Sequence, residues 1–326
     1  MKRKSFTLIE IIFVIVILGL ISVGSFKALQ MLYQRYYQVN TITKFTILSQ
    51  TLLDEVSTIL YYRTPLTAIG YNPDNGEFKK LEDVDSDDYR IFEWISEASD
   101  AKKHFGFDIT TGYTGFIDMD ASNRDTLTLV ARDFNITDIN DTLHKVFDNQ
   151  LDLNNSTGII FAGNLDTGVE SDDENNSFGW HGYEHKKVYL VKDFLQVGND
   201  ANLTMNDDIK GNKIFSKFYL AASAWGIARG IDVDKSAYCL NGMNVDDNTL
   251  LFFYNYRPWK KETFCADPHN NNGETNEGNV TILARNITAF RVKAIDYHIE
   301  LKVQFSKSMY RGSEQNITIT KQKATF

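Results

Sequence analysis

Cysteine, proline and histidine are scarce in this chain, and each shortage excludes something. The 326 residues hold two cysteines, four prolines and six histidines. Neither a C-x-x-C pair nor a Cys/His cluster occurs, which argues against a zinc site and a thioredoxin-like redox centre. Positive charge is also short: 34 Lys and Arg stand against 43 Asp and Glu, for a formal net charge of −9. The one basic cluster is Lys2-Arg3-Lys4, so no nucleic acid is expected as a partner. The sequence contains no G-x-S-x-G, no P-loop and no paired-carboxylate motif that could be placed in a cleft, so the chain is not read as an enzyme.

What is present is a long apolar run. After Lys2-Arg3-Lys4-Ser5, residues Phe6 to Phe26 are apolar apart from Thr7, Glu10, Ser22 and Ser25. As a helix at about 1.5 Å per residue the run spans about 31 Å, the thickness of a bilayer core. The positive residues before it keep that end cytoplasmic and place everything after residue 30 on the other side. A secretory signal peptide would need a small-residue cleavage site, and only Ser22-Val23-Gly24 is on offer. A plain signal anchor fits the length but gives no reason for a carboxylate, Glu10, inside the run, where an ionisable group costs about 2.5–3.5 kcal/mol at mid-bilayer.

The stretch "FTLIE" behind a short basic leader resembles the N-terminal signal of type IV pilins and type II secretion pseudopilins. The resemblance implies cleavage of the Ser5–Phe6 bond by a prepilin peptidase, N-methylation of Phe6, and Glu10 as the fifth residue of the mature chain. Ser5 stands where the family usually has glycine, and the helix-bending proline common in pilins is absent, the first proline being Pro65. Glu10 then sits about 6 Å of helix from the new N-terminus, near the interface. When such helices bundle, a buried carboxylate needs a partner, and the amine of a neighbour's Phe6 supplies one, setting the register between subunits.

Beyond the membrane the helix is expected to continue to about Tyr61, ahead of Pro65. Phe45, Leu48, Leu52, Val56 and Ile59 fall at steps of three and four, a single stripe for docking on a body. The boundaries that follow are a leader at 1–5, a membrane and assembly helix at 6–29, an amphipathic continuation at 30–64 and a β-rich body at 65–326. The body reads as short strands such as "TGFIDM", "DTLTLVARDF", "KFYLAASAWGIA" and "YHIELKVQF", several alternating apolar and polar residues. Helix first and strands after give an α+β fold, the long helix packed on an antiparallel sheet as in pilins. The body exceeds a major pilin's, which points to two sheets or a sizeable insertion around 66–215.

Several smaller signals complete the reading. Cys239 and Cys265 have 25 residues between them. In an exported body a disulfide is favoured over two free thiols, provided their Cα atoms come within about 4.4–6.8 Å. N-x-S/T sequons occur at nine asparagines, and seven of them (Asn135, Asn140, Asn154, Asn175, Asn202, Asn279 and Asn316) have an acidic residue two positions upstream. The acidic content would put about one there by chance. This D/E-x-N-x-S/T pattern resembles the acceptor of periplasmic oligosaccharyltransferases, against the alternative of a composition accident in polar loops. "HGYEH", His181 to His185, is read as a surface loop rather than a metal site. The carboxylates of "DVDSDD" (Asp83, Asp85, Asp87, Asp88) and "DMDAS" (Asp118, Asp120) are read as solvated turns lacking the rest of an EF-hand loop. No cofactor is expected; structural calcium, bound by some pseudopilins, is the exception to look for.

The function that the resemblance implies is a minor pilin or pseudopilin, held in the inner membrane until it enters a filament. Its partners would be other pilin-like subunits, the prepilin peptidase, an inner-membrane assembly platform and lipid. A body this large favours a low-copy, initiating subunit. The alternative is a periplasmic binding protein or enzyme for which the N-terminus is only an uncleaved anchor.

Overall fold

The computed structural model describes residues 7–98, 113–123, 125–147, 151–163, 178–183, 185–206, 209–210, 212–269, 273–295, 298–308 and 316–325. One uninterrupted helix, α1 (Leu8–Tyr61), opens it. Thr7 caps it in extended conformation, with a reciprocal capping box to Glu10. No proline interrupts the run, and the helix stops four residues before Pro65, where the residue preceding proline disfavours helical geometry. Its length is about 81 Å. Thr7 through Tyr33 are all exposed, Gln34 is the first half-buried residue and Thr41 the first buried one.

The body contains β1 (Ile69–Tyr71), β2 (Phe78–Lys80), β3 (Ile91–Glu97), β4 (Gly115–Asn123), β5 (Thr128–Ala131), α2 (Ile136–Val146), α3 (Leu153–Ser156), β6 (Gly158–Phe161), β7 (Tyr189–Val197) and β8 (Asp200–Met205). There follow β9 (Lys217–Arg229), β10 (Leu250–Tyr256), β11 (Glu262–Phe264), β12 (Thr275–Glu277), β13 (Asn279–Ala284), β14 (Ile287–Ile295), β15 (His298–Ser308) and β16 (Asn316–Thr325). The architecture is α+β and pilin-like, a long helix on an antiparallel body.

Strand β9 organises the main sheet because its two halves have different neighbours. Its C-terminal half lies between β3 and β10, with β1 and β2 beyond β3 and β13 beyond β10. At its N-terminal half Phe218 pairs with Gly115 of β4 on one edge and Phe161 of β6 on the other. From there β4, β5, β8, β7 and β6 pair in turn, closing a ring of six strands. The expected enlargement around 66–215 is thus largely this ring, filled by Leu129, Phe134, Phe161, Leu203 and Phe218. A separate antiparallel sheet, β14-β15-β16, packs against the lower half of α1.

Strand β3 separates two cores. Phe92 and Trp94 face the α1 cluster, while Ile91 and Ile95 face a second cluster with Tyr71, Phe253, Tyr256 and Phe264. All seven of its residues are buried. A strand covered on both faces shows no polar alternation, so "IFEWISE" is invisible to a search for half-buried strands.

The docking stripe needs a correction. Phe45, Leu52 and Val56 are buried as expected, but Leu48 is 40% exposed and Ile59 only half-buried. The buried face instead runs through Thr41, Phe45, Ser49, Leu52, Leu53, Val56, Ser57 and Leu60. Two buried serines, too polar to score as core, let the body approach there and rotate the contact face. Leu48 is left lining a groove of about 300 Å³ beside Leu283 and Lys307.

Candidate functional site

The N-terminal site is built by one turn of helix. The Thr7 amide and hydroxyl both donate to Glu10 Oε2, at 2.9 and 3.0 Å, and Thr7 Oγ1 accepts from the Glu10 amide at 3.4 Å. The carboxylate therefore sits at the positive end of the helix dipole with one oxygen committed. Its Oε1 carries no bond among the described residues, so a cation from a neighbour can be added without opening the cap. Ser5 and Phe6, the expected cleavage and methylation positions, lie outside the described residues. After Glu10 the surface is apolar on every side, with Phe13, Ile15, Leu20 and Phe26 all exposed. The helix is long and apolar enough to cross a membrane.

The lower half of α1 is fixed to the C-terminal sheet. Phe45 meets Phe305 with ring centroids 5.3 Å apart. Lys323 reaches Asp54 at 2.6 Å and Lys321 donates to Gln50 at 3.2 Å. The Lys323 hydrogen bond, with help from Gln50, holds the Asp54 carboxyl below the usual carboxylate range. The helix is thereby held to the sheet through both packing and charge.

His181 is a second correction. It does not lie in a surface loop but is buried between two acids, with Nε2 2.9 Å from Glu93 Oε1 and Nδ1 3.2 Å from Asp267 Oδ2. Tyr256 donates to Glu93 Oε2 at 2.7 Å and Tyr71 to Asp267 Oδ1 at 2.8 Å, while the Tyr71 ring stacks on the imidazole at 3.9 Å. Thr263 donates to Asp267 Oδ2 at 2.6 Å. Burial alone would lower the imidazole's pKa, but Glu93 and Asp267 outweigh it and raise it to about 10. Burial first, and the carboxylates next, push both tyrosine hydroxyls up. The preceding Gly179, at φ +85°, puts the turn against the Pro258 carbonyl, where a Cβ would sit 2.6 Å from its oxygen. Glu93, Asp267, Tyr71 and Tyr256 are all buried, so the cluster is a closed strut and not a cavity for a ligand. Sequence inspection missed it because Glu93 is 88 positions away. His185, from the same motif, rests 2.9 Å from the Val188 carbonyl.

The other singled-out residues are dispersed. Cys239 and Cys265 are disulfide-bonded, with Cα atoms 6.2 Å apart. Asp85 pairs with Lys79, and Asp118 pairs with Arg132 while accepting from the amides of Asp120 and Ala121. Among the described residues, no group of three or more His, Cys, Asp and Glu is placed to hold a metal. Of the seven acidic sequons, Asn175 lies outside the described residues. Asn135, Asn154, Asn279 and Asn316 are exposed, and Asn140 and Asn202 half-buried.

Residues 1–26 match the prokaryotic N-terminal methylation motif. No curated protein and no solved structure matches the chain. The motif and the long apolar helix behind it are in keeping with a type IV pilin or pseudopilin.

Proposed function

We propose that this chain is a minor pilin or pseudopilin: a structural subunit held in the inner membrane by α1, processed before Phe6, and drawn into a filament through its N-terminal helix. The observation that carries the reading is the methylation motif at 1–26 and the helix it belongs to, whose first part, about 39 Å long, is exposed along its whole length. A simple anchor uses the apolar length and, of Glu10, only the oxygen that caps its own helix, whereas a bundle of such helices also has a use for the second oxygen. One oxygen of Glu10 caps its own helix, and the other takes the N-methylated amine of a neighbour's Phe6. The prepilin peptidase and an assembly platform are the partners this route requires, with lipid around α1 beforehand. The β-rich body then lies in the periplasm.

The test is mass spectrometry of the N-terminal peptide from protein purified out of its native membrane, with Glu10→Ala alongside. A chain beginning at N-methylated Phe6, and a Glu10→Ala protein that is processed but absent from sheared filaments, is the expected result. A chain retaining Lys2 to Ser5 would overturn the reading and leave the tethered-protein alternative.

A further inference from the structure

Seven acidic sequons look alike in sequence, but the fold treats them differently. A glycosyl transfer to asparagine needs a free carboxylate two residues before it, a free hydroxyl two after, and a segment that can bend into an active site. Asn135 caps α2, accepting from the Asp138 amide and donating to Asp138 Oδ2 at 2.8 Å. Asn140, inside α2, accepts from the Leu153 amide at 3.0 Å. Asn154 lies within α3; its acid, Asp152, is paired with His144, and the Ser156 carbonyl is held by the Trp259 indole at 3.1 Å. Asn202 sits mid-strand in β8, with Val130 on one side and Leu195 on the other. Its acid, Asp200, is bound by Arg132 and by the Asp133 amide.

Asn279 differs from these four in its free side chains and its edge position. Glu277, Asn279 and Thr281 are all exposed, and none of the three side chains makes a hydrogen bond or ion pair among the described residues. Asn279 opens β13, which among the described residues is bonded on one edge only, to β10. Alternation puts Asn279 and Thr281 on one face. Between acid and acceptor, Gly278 turns at φ +89°, its Cα hydrogen so close to the backbone that a Cβ would stand 2.5 Å from the Tyr254 carbonyl oxygen. Gly278 thus turns the chain between Glu277, which ends β12 beside β11, and Asn279, which opens β13 beside β10.

We propose that Asn279 is an N-glycan attachment site, read through Glu277 and Thr281, for an oligosaccharide carried on a polyprenyl diphosphate. In the transfer, Asn279 Nδ2 forms a bond to C1 of the first sugar and the C1–O bond to the diphosphate breaks. The polyprenyl diphosphate leaves with that electron pair, and the amide gives up one proton to solvent. Glu277 pairs with a basic group of the transferase, and the Thr281 hydroxyl is the second point of recognition. In the cell the site rests on the proposed placement of the body in the periplasm, and a reaction with purified components separates the two questions.

The test incubates the full chain in detergent with a purified bacterial oligosaccharyltransferase and an undecaprenyl-diphosphate-linked oligosaccharide, followed by glycopeptide mapping. The expected result is glycan on Asn279, with Asn202 and the acid-less Asn286 bare. Glu277→Gln, nearly isosteric and exposed, should cut Asn279 occupancy by about tenfold or more through loss of a charge-assisted contact, and Glu277→Asp should restore it. Asn279 bare, Asn279 occupied equally in Glu277→Gln, or Asn202 as fully occupied as Asn279 would each overturn the proposal.

Discussion

Two carboxylates, Glu93 and Asp267, share one imidazole where water does not reach, and only a complete set of partners makes that tolerable. Removing one member leaves a buried charge uncompensated, at a cost of about 3–5 kcal/mol. His181→Ala should therefore lower the unfolding midpoint of the full chain in detergent by more than a surface substitution such as His185→Ala. The pH dependence has a definite sign. The folded imidazole titrates at about 10, above its unfolded value of about 6.5. The folded state thus holds its proton more tightly, and the contribution is complete below about pH 6.5 and lost as pH rises through 10. Thermal melts of wild type and His181→Ala across that interval should converge as pH rises. Parallel curves would mean that the imidazolium does not stabilise the fold.

Helix α1 shows where element-scale reading succeeds and where it stops. Its membrane half and its end near Tyr61 are legible because one uniform property, apolar length without proline, decides them. Glu10 stands out in the sequence because it breaks that uniformity, and its pairing with a neighbour is part of the proposal above. The facing of the lower half is not legible: Ser49 and Ser57 are buried because the body approaches closely there, which no hydropathy pattern encodes. Strand β3 is hidden by burial on both faces, and the His181 cluster by the sequence distance between its members. The corrected face makes a quantitative prediction. Leu53, 1% exposed, should cost about 2–5 kcal/mol on truncation to alanine, whereas Leu48→Ala should cost far less. Equal destabilisation by denaturant titration would restore the stripe read from spacing alone.

At the scale of the molecule, the three buried clusters draw nothing from α1 before Phe45, so the fold of the body does not depend on the helix segment that enters lipid. What does constrain the body is the Cys239–Cys265 bond, which ties the segment carrying Asp267 back to the turn at Tyr238–Leu240. A loop of that size is worth about 3–4 kcal/mol in the chain-entropy account. Cys239→Ser with Cys265→Ser should lower the unfolding midpoint accordingly while leaving the N-terminal processing untouched. The converse experiment removes residues 1–33 and keeps every buried or half-buried residue of the helix. Because that deletion strips the continuous exposed apolar run up to Tyr33 and no buried residue, the shortened chain should be soluble without detergent and monomeric by size-exclusion with light scattering. Aggregation of a folded, oxidised shortened chain would place an adhesive surface on the body itself, and the proposed filament assembly could then no longer be assigned to the helix alone.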